Sequence, residues 1–117
     1  MSKPHKNLVA WQKSMELVEE LYKITRAFPR EEIYGLTSQL RRAAVSVPSN
    51  IAEGAAGRSP VQFKNYLLVA IGSLNEIATQ LEIAFRIGYL DLPRFTEVEN
   101  LVDECLAITF GLRKSIR

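Results

Sequence analysis

The sequence predicts an all-α fold: an antiparallel up-down-up-down four-helix bundle with a proline-kinked second helix, in a single domain spanning residues 1–117. Apolar residues recur at spacings of three and four over four long segments, the periodicity of helices that bury one face. No segment alternates apolar and polar residues with the period of two that is typical of a strand. Connectors of about four to nine residues make successive helices antiparallel neighbours. The predicted helices span about residues 7–27, 37–56, 60–88 and 92–116.

The composition is that of an ordinary globular domain. The chain is 47% hydrophobic and 24% charged, so a packed core is expected rather than disorder. A net charge of +2 is too small to mark the whole protein as a polyanion binder. The single Cys105 excludes an internal disulfide and a cysteine zinc cluster. With no apolar leader and no run of about 20 apolar residues, we expect a cytoplasmic protein that does not span a membrane.

The first helix is expected to begin at Asn7, a residue type that caps helix N-termini, and to end near Ala27. Two adjoining rows of apolar residues along it predict a broad buried face that packs on two neighbours. Phe28-Pro29 ends the helix, because a residue before proline is pushed out of the helical region.

The second helix carries one apolar stripe at helical spacing. Its members are Leu36, Leu40, Ala43, Ala44, Val47 and Ile51. We expect Thr37 or Ser38 to cap its start with a hydroxyl group. Gly54 and Gly57 are expected to end it by supplying the left-handed conformation.

Pro48 lies inside this helix, where it removes one hydrogen bond and crowds the carbonyl of Ala44, at a cost of roughly 3 kcal/mol or more. We expect packing to outweigh that cost, which predicts a kink rather than a break. Ser46, Ser49 and Asn50 stand close enough to bond the freed carbonyl. The alternative is two shorter helices, with Ser46 capping the second.

The third helix has a strong start signal, since Ser59 supplies a cap and Pro60 fits the first turn. Apolar residues then follow at steps of four and three, the a/d spacing of a long bundle helix. Further apolar residues lie off that row, around a glycine that costs about 1 kcal/mol inside a helix. They are Leu68, Val69, Ile83 and Ile87, with Gly72 among them. Two apolar faces in so small a domain predict a homo-oligomer; the alternative is a thick single-chain core.

Asp91 is expected to cap the fourth helix, with Pro93 in its first turn. A heptad-like apolar row continues from there to the end of the chain and includes Cys105. We therefore expect Cys105 to be a small buried hydrophobic side chain; the alternative is a reactive thiol.

Three stretches of the chain carry a resemblance to a known family: VAWQKSMELVEELYKIT, FPREEIYGLTSQLRRAAVSVPSNIAEG and GRSPVQFKNYLLVAIGSLNEIATQLEIA. Over about residues 8–90 the chain resembles the bacterial four-helix-bundle proteins encoded within 23S rRNA intervening sequences. The resemblance implies a homopentameric ring, a cytosolic location, no enzymatic activity and a role in nucleic-acid binding. A related branch, the accessory variability protein of diversity-generating retroelements, works with a reverse transcriptase and RNA; no motif here distinguishes that branch.

The residue types do not favour an enzyme. A di-iron site in a bundle needs Glu-x-x-His pairs on facing helices, but the only histidine is His5, in the N-terminal tail. The same shortage leaves a serine or cysteine nucleophile without a base, and the glycine-rich phosphate-loop motif is absent. We therefore expect no catalytic residues, metal, cofactor or small-molecule substrate.

Polar residues on the second and third helices are expected to be structural, at helix or subunit contacts. They are Gln39, Arg41, Arg42, Asn50, Glu53 and Glu76. Ion pairing of the two glutamates with arginines is favoured, because the planar guanidinium can bond a carboxylate at two points. The alternative is an acid/base pair formed by Glu53 and Glu76.

An up-down-up-down topology gathers basic residues at one end of the bundle, which we call the basic pole. It comprises Lys3, Lys6, Lys13, Arg58, Lys64, Arg113, Lys114 and Arg117, against Glu53 alone. Repeated around a ring, this end would attract phosphate backbones, so we expect RNA or DNA to bind there with little sequence preference. The alternative is that these residues only confer solubility. Few aromatic residues accompany them, so base stacking is not expected.

The predicted function is that of a non-enzymatic oligomeric bundle that serves as a nucleic-acid-binding accessory or scaffold. Its partners would be copies of itself and RNA or DNA. The alternative is a protein-interaction adaptor, for example for a reverse transcriptase, that does not bind nucleic acid directly.

Overall fold

The computed structural model describes residues 3–117 and contains four α-helices and no strand within that range. The helices are α1 (Val9–Thr25), α2 (Leu36–Ala55), α3 (Pro60–Arg86) and α4 (Leu92–Ser115). Short 3-10 turns, Pro4–Asn7 and Arg30–Glu32, precede α1 and α2. The molecule measures 43 × 22 × 22 Å. Since a helix rises about 1.5 Å per residue, α3 alone covers most of the long axis.

Successive helices run in opposite directions. Gln39 near the start of α2 accepts a hydrogen bond from Gln80 near the end of α3, at 3.3 Å. Phe85 at the end of α3 stacks on Phe95 at the start of α4, with ring centroids 4.5 Å apart. α1 packs on α2 and α4, and α3 packs on the same two helices, so the four form a closed square. The predicted all-α bundle is confirmed.

One core runs the length of the bundle and receives apolar side chains from all four helices. Its fully buried members include Leu17, Leu21, Ile24, Leu40, Val47, Ile51, Leu67, Leu74, Ile77, Leu81, Val98 and Val102. Each such side chain stabilises the fold by about 1.5–3 kcal/mol relative to an exposed one. These residues follow the rows that the three- and four-residue spacings predict.

Cys105 belongs to the same core. Its side chain on α4 is fully buried, and burial raises the pKa of the thiol to about 12, because a thiolate is costly in apolar surroundings. The prediction of a small buried hydrophobic side chain is confirmed, and the reactive-thiol alternative is wrong.

The start of α1 differs from the prediction. Asn7 closes a 3-10 turn, and the N-cap position is held by Leu8, which makes no side-chain cap bond. Gln12 instead ties the entering chain down by donating from Nε2 to the carbonyl of Lys6, at 2.8 Å. The helix ends at Thr25, two residues before the predicted end. Asn7 therefore belongs to the turn that precedes α1 and is not the N-cap residue of the helix.

The cap of α2 comes from outside the helix. Thr37 is buried, and Gly35 holds the N-cap position without a side-chain bond. The Leu36 N–H donates instead to Oε1 of Glu32, in the preceding 3-10 turn, at 3.1 Å. The Tyr89 hydroxyl donates to the other oxygen of that carboxylate at 2.8 Å. The prediction of a threonine or serine cap is therefore wrong, and one carboxylate joins the α1–α2 connector to the α3–α4 connector.

α2 continues through Pro48 as one helix, so the alternative of two shorter helices is wrong. Ser49 donates to the carbonyl of Val45 at 2.7 Å, and Asn50 donates to the carbonyl of Ser46 at 2.8 Å. These acceptors lie one and two residues beyond the carbonyl of Ala44, so the neighbouring polar groups reinforce the turn around the proline. Pro48 itself is buried, and its packing contributes to offsetting the missing hydrogen bond.

Two glycines near the end of α2 have different roles. Gly57 has φ +77° just after the helix and supplies the predicted left-handed turn. Gly54 lies inside the helix and is buried, so the prediction that it also ends α2 is wrong. A Cβ at Gly54 would lie 2.7 Å from Cδ1 of Phe63 and 2.9 Å from Cβ of Tyr66. Its lack of a side chain lets α3 approach α2 closely.

The starts of α3 and α4 match the prediction. Ser59 and Gln62 form a reciprocal capping box, in which the Gln62 N–H donates to the Ser59 hydroxyl at 3.2 Å. Asp91 Oδ1 accepts from the N–H of Arg94 at 2.9 Å. These caps satisfy backbone N–H groups that the first turn of a helix leaves without partners.

By length and composition, α3 is the one helix among residues 3–117 that is apolar enough to cross a membrane. Half of its apolar window is buried inside the bundle, so core packing accounts for much of that apolarity.

Candidate nucleic-acid interface

The basic pole forms at one end of the bundle. Arg113, in the last turn of α4, donates from Nε to the backbone carbonyl of Lys64, in the first turn of α3, at 3.2 Å. Lys3 and His5, just before α1, line a shallow depression with Glu53, near the end of α2. The starts of α1 and α3 therefore lie beside the ends of α2 and α4.

Lys13 is paired with two carboxylates. Its Nζ lies 3.1 Å from Oε1 of Glu104 on α4 and 3.5 Å from Oε2 of Glu16 on α1. The hydrogen bond to Glu104, reinforced by the charges of both glutamates, raises the pKa of Lys13. The expectation that Glu53 is the only acidic residue at this pole is wrong, because α1 and α4 bring these two carboxylates against Lys13. The positive charge of Lys13 is therefore compensated by carboxylates of the same protomer.

Arg58 closes the connector between α2 and α3. Its Nη2 donates to Oε2 of Glu53 at 2.9 Å, and its Nε donates to the carbonyl of the same residue at 3.0 Å. The guanidinium also lies 4.9 Å from the centroid of the Tyr66 ring, a cation–π distance. The hydrogen bond to Glu53 raises the pKa of Arg58. This arginine therefore makes its main contacts within the turn.

The remaining cations of the basic pole are turned toward solvent. Lys6, Lys114 and Arg117 are exposed and Lys64 is half-buried. None of the four forms an ion pair with another residue in the part of the chain that the structure describes. Arg113 donates to a neutral carbonyl, which leaves its charge without a carboxylate beside it. An uncompensated positive surface therefore remains at the start of α1 and the end of α4.

Sequence reasoning missed Phe110, whose side chain on α4 is 51% exposed. It lies four residues before Lys114 in α4, a spacing that places both side chains on one helix face. Arg117 follows just beyond the end of the helix at Ser115. That spacing is the sequence signal that identifies it. Few aromatic residues are expected beside these cations, and Phe110 is one that is exposed there.

Polar side chains fill the seam between α2 and α3. Gln80 donates from Nε2 to Gln39 at 3.3 Å and to Glu76 at 3.1 Å, while its buried Oε1 has no hydrogen-bond partner among residues 3–117. Glu76 thus bonds to an amide rather than to an arginine. It lies midway along α3, whereas Glu53 bonds to Arg58 at the α2–α3 turn. The two carboxylates do not meet as an acid/base pair.

The other polar residues of α2 have different surroundings. Arg41 donates from Nε to Oγ1 of Thr25 at 2.8 Å, and its guanidinium lies 4.6 Å from the centroid of the Tyr22 ring. It therefore joins α2 to α1 without a carboxylate. Arg42 is exposed and forms no ion pair within residues 3–117. Within the described range no group of three or more histidine, cysteine or acidic side chains is arranged to hold a metal ion.

The outer face of α3 carries an apolar surface, which we call the α3 stripe. It consists of Leu68, Val69, Ile83 and Ile87, which are 44% to 53% exposed. A Cβ atom at Gly72, in the middle of the stripe, would have no neighbour within 4 Å in the protomer. The alternative of a thick single-chain core is wrong for these residues, because the protomer leaves them in contact with water.

A second apolar surface is a groove of about 310 Å³ between α1 and α2. Its lining consists of Trp11, Met15, Val18, Val45, Pro48, Ser49 and Ala52. Pro48 contributes to this groove as well as to the core, so the proline also shapes an exposed surface of α2.

Comparison with known proteins supports the fold seen here. The model of the 23S rRNA-intervening sequence protein family matches residues 6–111. A crystal structure from Bacteroides thetaiotaomicron, of a protein with unknown function from the S23 ribosomal protein family, superposes with a TM-score of 0.83. The two sequences are 22% identical, and the match covers 92% of this chain and 96% of the other. This likeness concerns the fold alone. No curated protein matches the chain.

Proposed function

The chain belongs to the 23S rRNA-intervening sequence protein family, and from this premise we propose that it is a non-enzymatic, homo-oligomeric accessory or scaffold protein that binds RNA or DNA. The carrying observation is the group of uncompensated cations at one end of the bundle. Lys6, Lys114 and Arg117 face solvent there without an ion-pair partner among residues 3–117. Such charges attract a phosphate backbone and gain affinity by releasing its counterions.

Assembly into a ring supports this function, because it would set several basic poles side by side. The α3 stripe supplies an apolar surface that the protomer does not cover. Gly72 at its centre leaves the backbone open to close approach by another helix. The family resemblance favours five copies, and a cytoplasmic location accords with the reduced, buried Cys105.

The experiment is a salt titration of nucleic-acid binding. Generic RNA and DNA fragments are titrated with the protein by fluorescence anisotropy at several salt concentrations. The Lys114→Ala/Arg117→Ala variant is expected to weaken binding to every sequence about equally. The slope of log affinity against log salt should fall by about 0.7–0.9 for each phosphate that the variant no longer neutralises. Arg113 is left unchanged, since it also holds α4 against α3.

A matched control removes two arginines at the opposite end of the molecule. Arg30 and Arg94 are exposed, and Arg30→Ala/Arg94→Ala changes the net charge by the same amount. This variant should keep both the affinity and the salt slope. Equal losses of affinity and salt slope in the two variants would show that binding depends on net charge and not on the basic pole. A protein that binds neither RNA nor DNA at low salt would exclude nucleic acid as a partner.

A protein-interaction adaptor is the second candidate function. It is favoured by apolar exposure at the end opposite the basic pole, where Tyr34 is 97% exposed and Ile33 and Leu92 are also exposed. A partner such as a reverse transcriptase would cover these side chains. This function is favoured over the first if the protein fails to bind RNA and DNA at low salt.

A further inference from the structure

α4 has two aromatic residues with opposite environments. Phe95 is buried and stacks on Phe85, so it stabilises the core. Phe110 is 51% exposed and lies on the outer face of the same helix. An exposed aromatic ring is not itself unusual on a protein surface, so its meaning depends on its neighbours.

Those neighbours are cationic on one side and acidic on the other. Lys114 follows Phe110 by four residues and is exposed on the same face of α4, while Arg117 is exposed two residues beyond the helix end at Ser115. At about 1.5 Å of rise per residue, Phe110 and Lys114 lie roughly 6 Å apart along the helix. Asp103 lies on this face seven residues before the ring, so a phosphate chain is favoured only over the last turns of α4.

Gly111 adds an observation that the protomer itself does not explain. It lies inside α4, where glycine costs about 1 kcal/mol relative to alanine. Its φ is not positive, unlike those of Gly57 and Gly88, so backbone conformation does not require glycine at this position. A Cβ atom there would have no neighbour within 4 Å. Its absence leaves the backbone beside the Phe110 ring open to a flat group from another molecule.

The face is also held in place. The bond from Nε of Arg113 to the carbonyl of Lys64 fixes the last turn of α4 on the first turn of α3. One turn earlier, the Thr109 hydroxyl donates to the carbonyl of Cys105 at 2.7 Å, inside the core. A surface ordered before binding loses less conformational entropy when a ligand arrives.

From these observations we propose that the surface formed by Phe110, Gly111 and Lys114 on α4, with Arg117 just beyond the helix, binds single-stranded RNA or DNA, with an unpaired base stacked on Phe110 and adjacent phosphates held by the two cations. The inference rests on the proposed function and narrows its ligand. A duplex keeps its base faces inside its own stack, so only a single strand offers them to a side chain. Every base has such a face, and binding is therefore sequence-tolerant.

The test compares oligouridylate, oligothymidylate and a DNA duplex of matched length as fluorescent probes for the full chain. Phe110→Ala is expected to weaken binding of both single strands about 5- to 100-fold, the range measured for removal of one stacking platform. Duplex affinity should stay unchanged, since Lys114 and Arg117 remain. Phe110→Tyr keeps a ring face and should restore single-strand affinity, whereas Phe110→Leu should not. The two single strands differ in the sugar and in the C5-methyl group of the base, so a loss of affinity in both arms shows that Phe110 acts on the base face that they share.

Two controls separate stacking from other effects of the substitution. Leu92→Ala removes an equally exposed apolar side chain at the other end of α4 and should leave all three affinities unchanged. Gly111→Leu fills the space beside the ring and should weaken single-strand binding while Phe110 stays in place.

The outcomes are distinct for the two proposals. A wild-type protein that binds no probe overturns both the proposed function and this inference. Binding of single strands by Phe110→Ala with wild-type affinity overturns only the inference. The stacking inference is also overturned if Phe110→Ala changes the oligomeric state in sedimentation velocity, because Phe110 would then belong to a contact between copies.

Discussion

At the scale of single residues, Gly54 sets how closely α2 and α3 pack. A methyl group there would meet Phe63 at 2.7 Å and Tyr66 at 2.9 Å. We expect Gly54→Ala to destabilise the fold by about 1–3 kcal/mol through overpacking, less a gain of about 1 kcal/mol in helix propensity. Urea denaturation followed by circular dichroism measures the change.

Gly111→Ala is the matched control, because its methyl group meets nothing and should stabilise α4 by about 0.5–1 kcal/mol. Equal stability of the two variants would contradict this account.

The same glycines show what sequence can and cannot supply at this scale. Gly57 and Gly54 both stand near the end of α2, where glycine commonly terminates a helix. Only Gly57 has positive φ, while Gly54 is required by a side chain that arrives from α3. The need for a left-handed residue at Gly57 can be recognised from the local sequence. The need for a residue without a side chain at Gly54 cannot, because it depends on which helix packs opposite. Phe110 is a similar case, because its exposure depends on its angle around α4.

At the scale of elements, Glu32 links two connectors through a charge that varies with pH. Its hydrogen bonds from the Leu36 N–H and then the Tyr89 hydroxyl lower its pKa below the ordinary 4.5. The folded protein therefore releases the Glu32 proton at lower pH than the unfolded chain does. The resulting stabilisation is complete above the unfolded pKa and is lost as the pH falls through the lowered folded pKa.

We expect urea midpoints measured from pH 7 to pH 3 to separate the wild type from Glu32→Gln. The amide keeps an acceptor for Leu36 but cannot ionise, so the variant should be less stable near neutral pH and should approach the wild type in acid. Glu31→Gln, in the same 3-10 turn, removes a nearby charge without either hydrogen bond and should follow the wild-type curve. Parallel curves for wild type and Glu32→Gln would exclude this role for the carboxylate.

The helix starts show which N-caps can be predicted from the local sequence. Ser59 and Asp91 were predictable as caps because each bonds an N–H three residues ahead in its own helix. The start of α2 was not predictable in this way, because its cap comes from Glu32 in a separate turn. α1 begins at Val9, and its N-cap residue, Leu8, makes no side-chain cap bond. Where the capping group lies outside the helix or is missing, residue type near the start misleads.

At the scale of the whole molecule, the periodicity and short connectors were sufficient to predict the bundle and the end at which the basic residues gather. They were not sufficient to predict which charges remain available. Lys13 forms an ion pair with Glu104 across the α1–α4 contact. That pairing depends on the axial offset between two helices that are distant in sequence. The candidate site is therefore smaller than the sequence indicates and centred on the end of α4.

The oligomer is the prediction that belongs to this largest scale. Val69 and Ile83 in the α3 stripe are 52% and 44% exposed, and burying such apolar surface between copies is worth about 25 cal/mol per Å². We expect the wild type to sediment as a homo-oligomer at micromolar concentration. Val69→Gln/Ile83→Gln should raise the dissociation constant about 10- to 100-fold, equivalent to roughly 1.4–2.8 kcal/mol, and shift the protein toward single chains. Leu92→Gln changes an apolar side chain outside the stripe that is 59% exposed and should leave the assembly intact. Circular dichroism would confirm that the variant protomers stay helical, since neither side chain belongs to the core. A wild-type chain that sediments alone would leave the α3 stripe without a self-partner and would remove the ring that concentrates the basic poles.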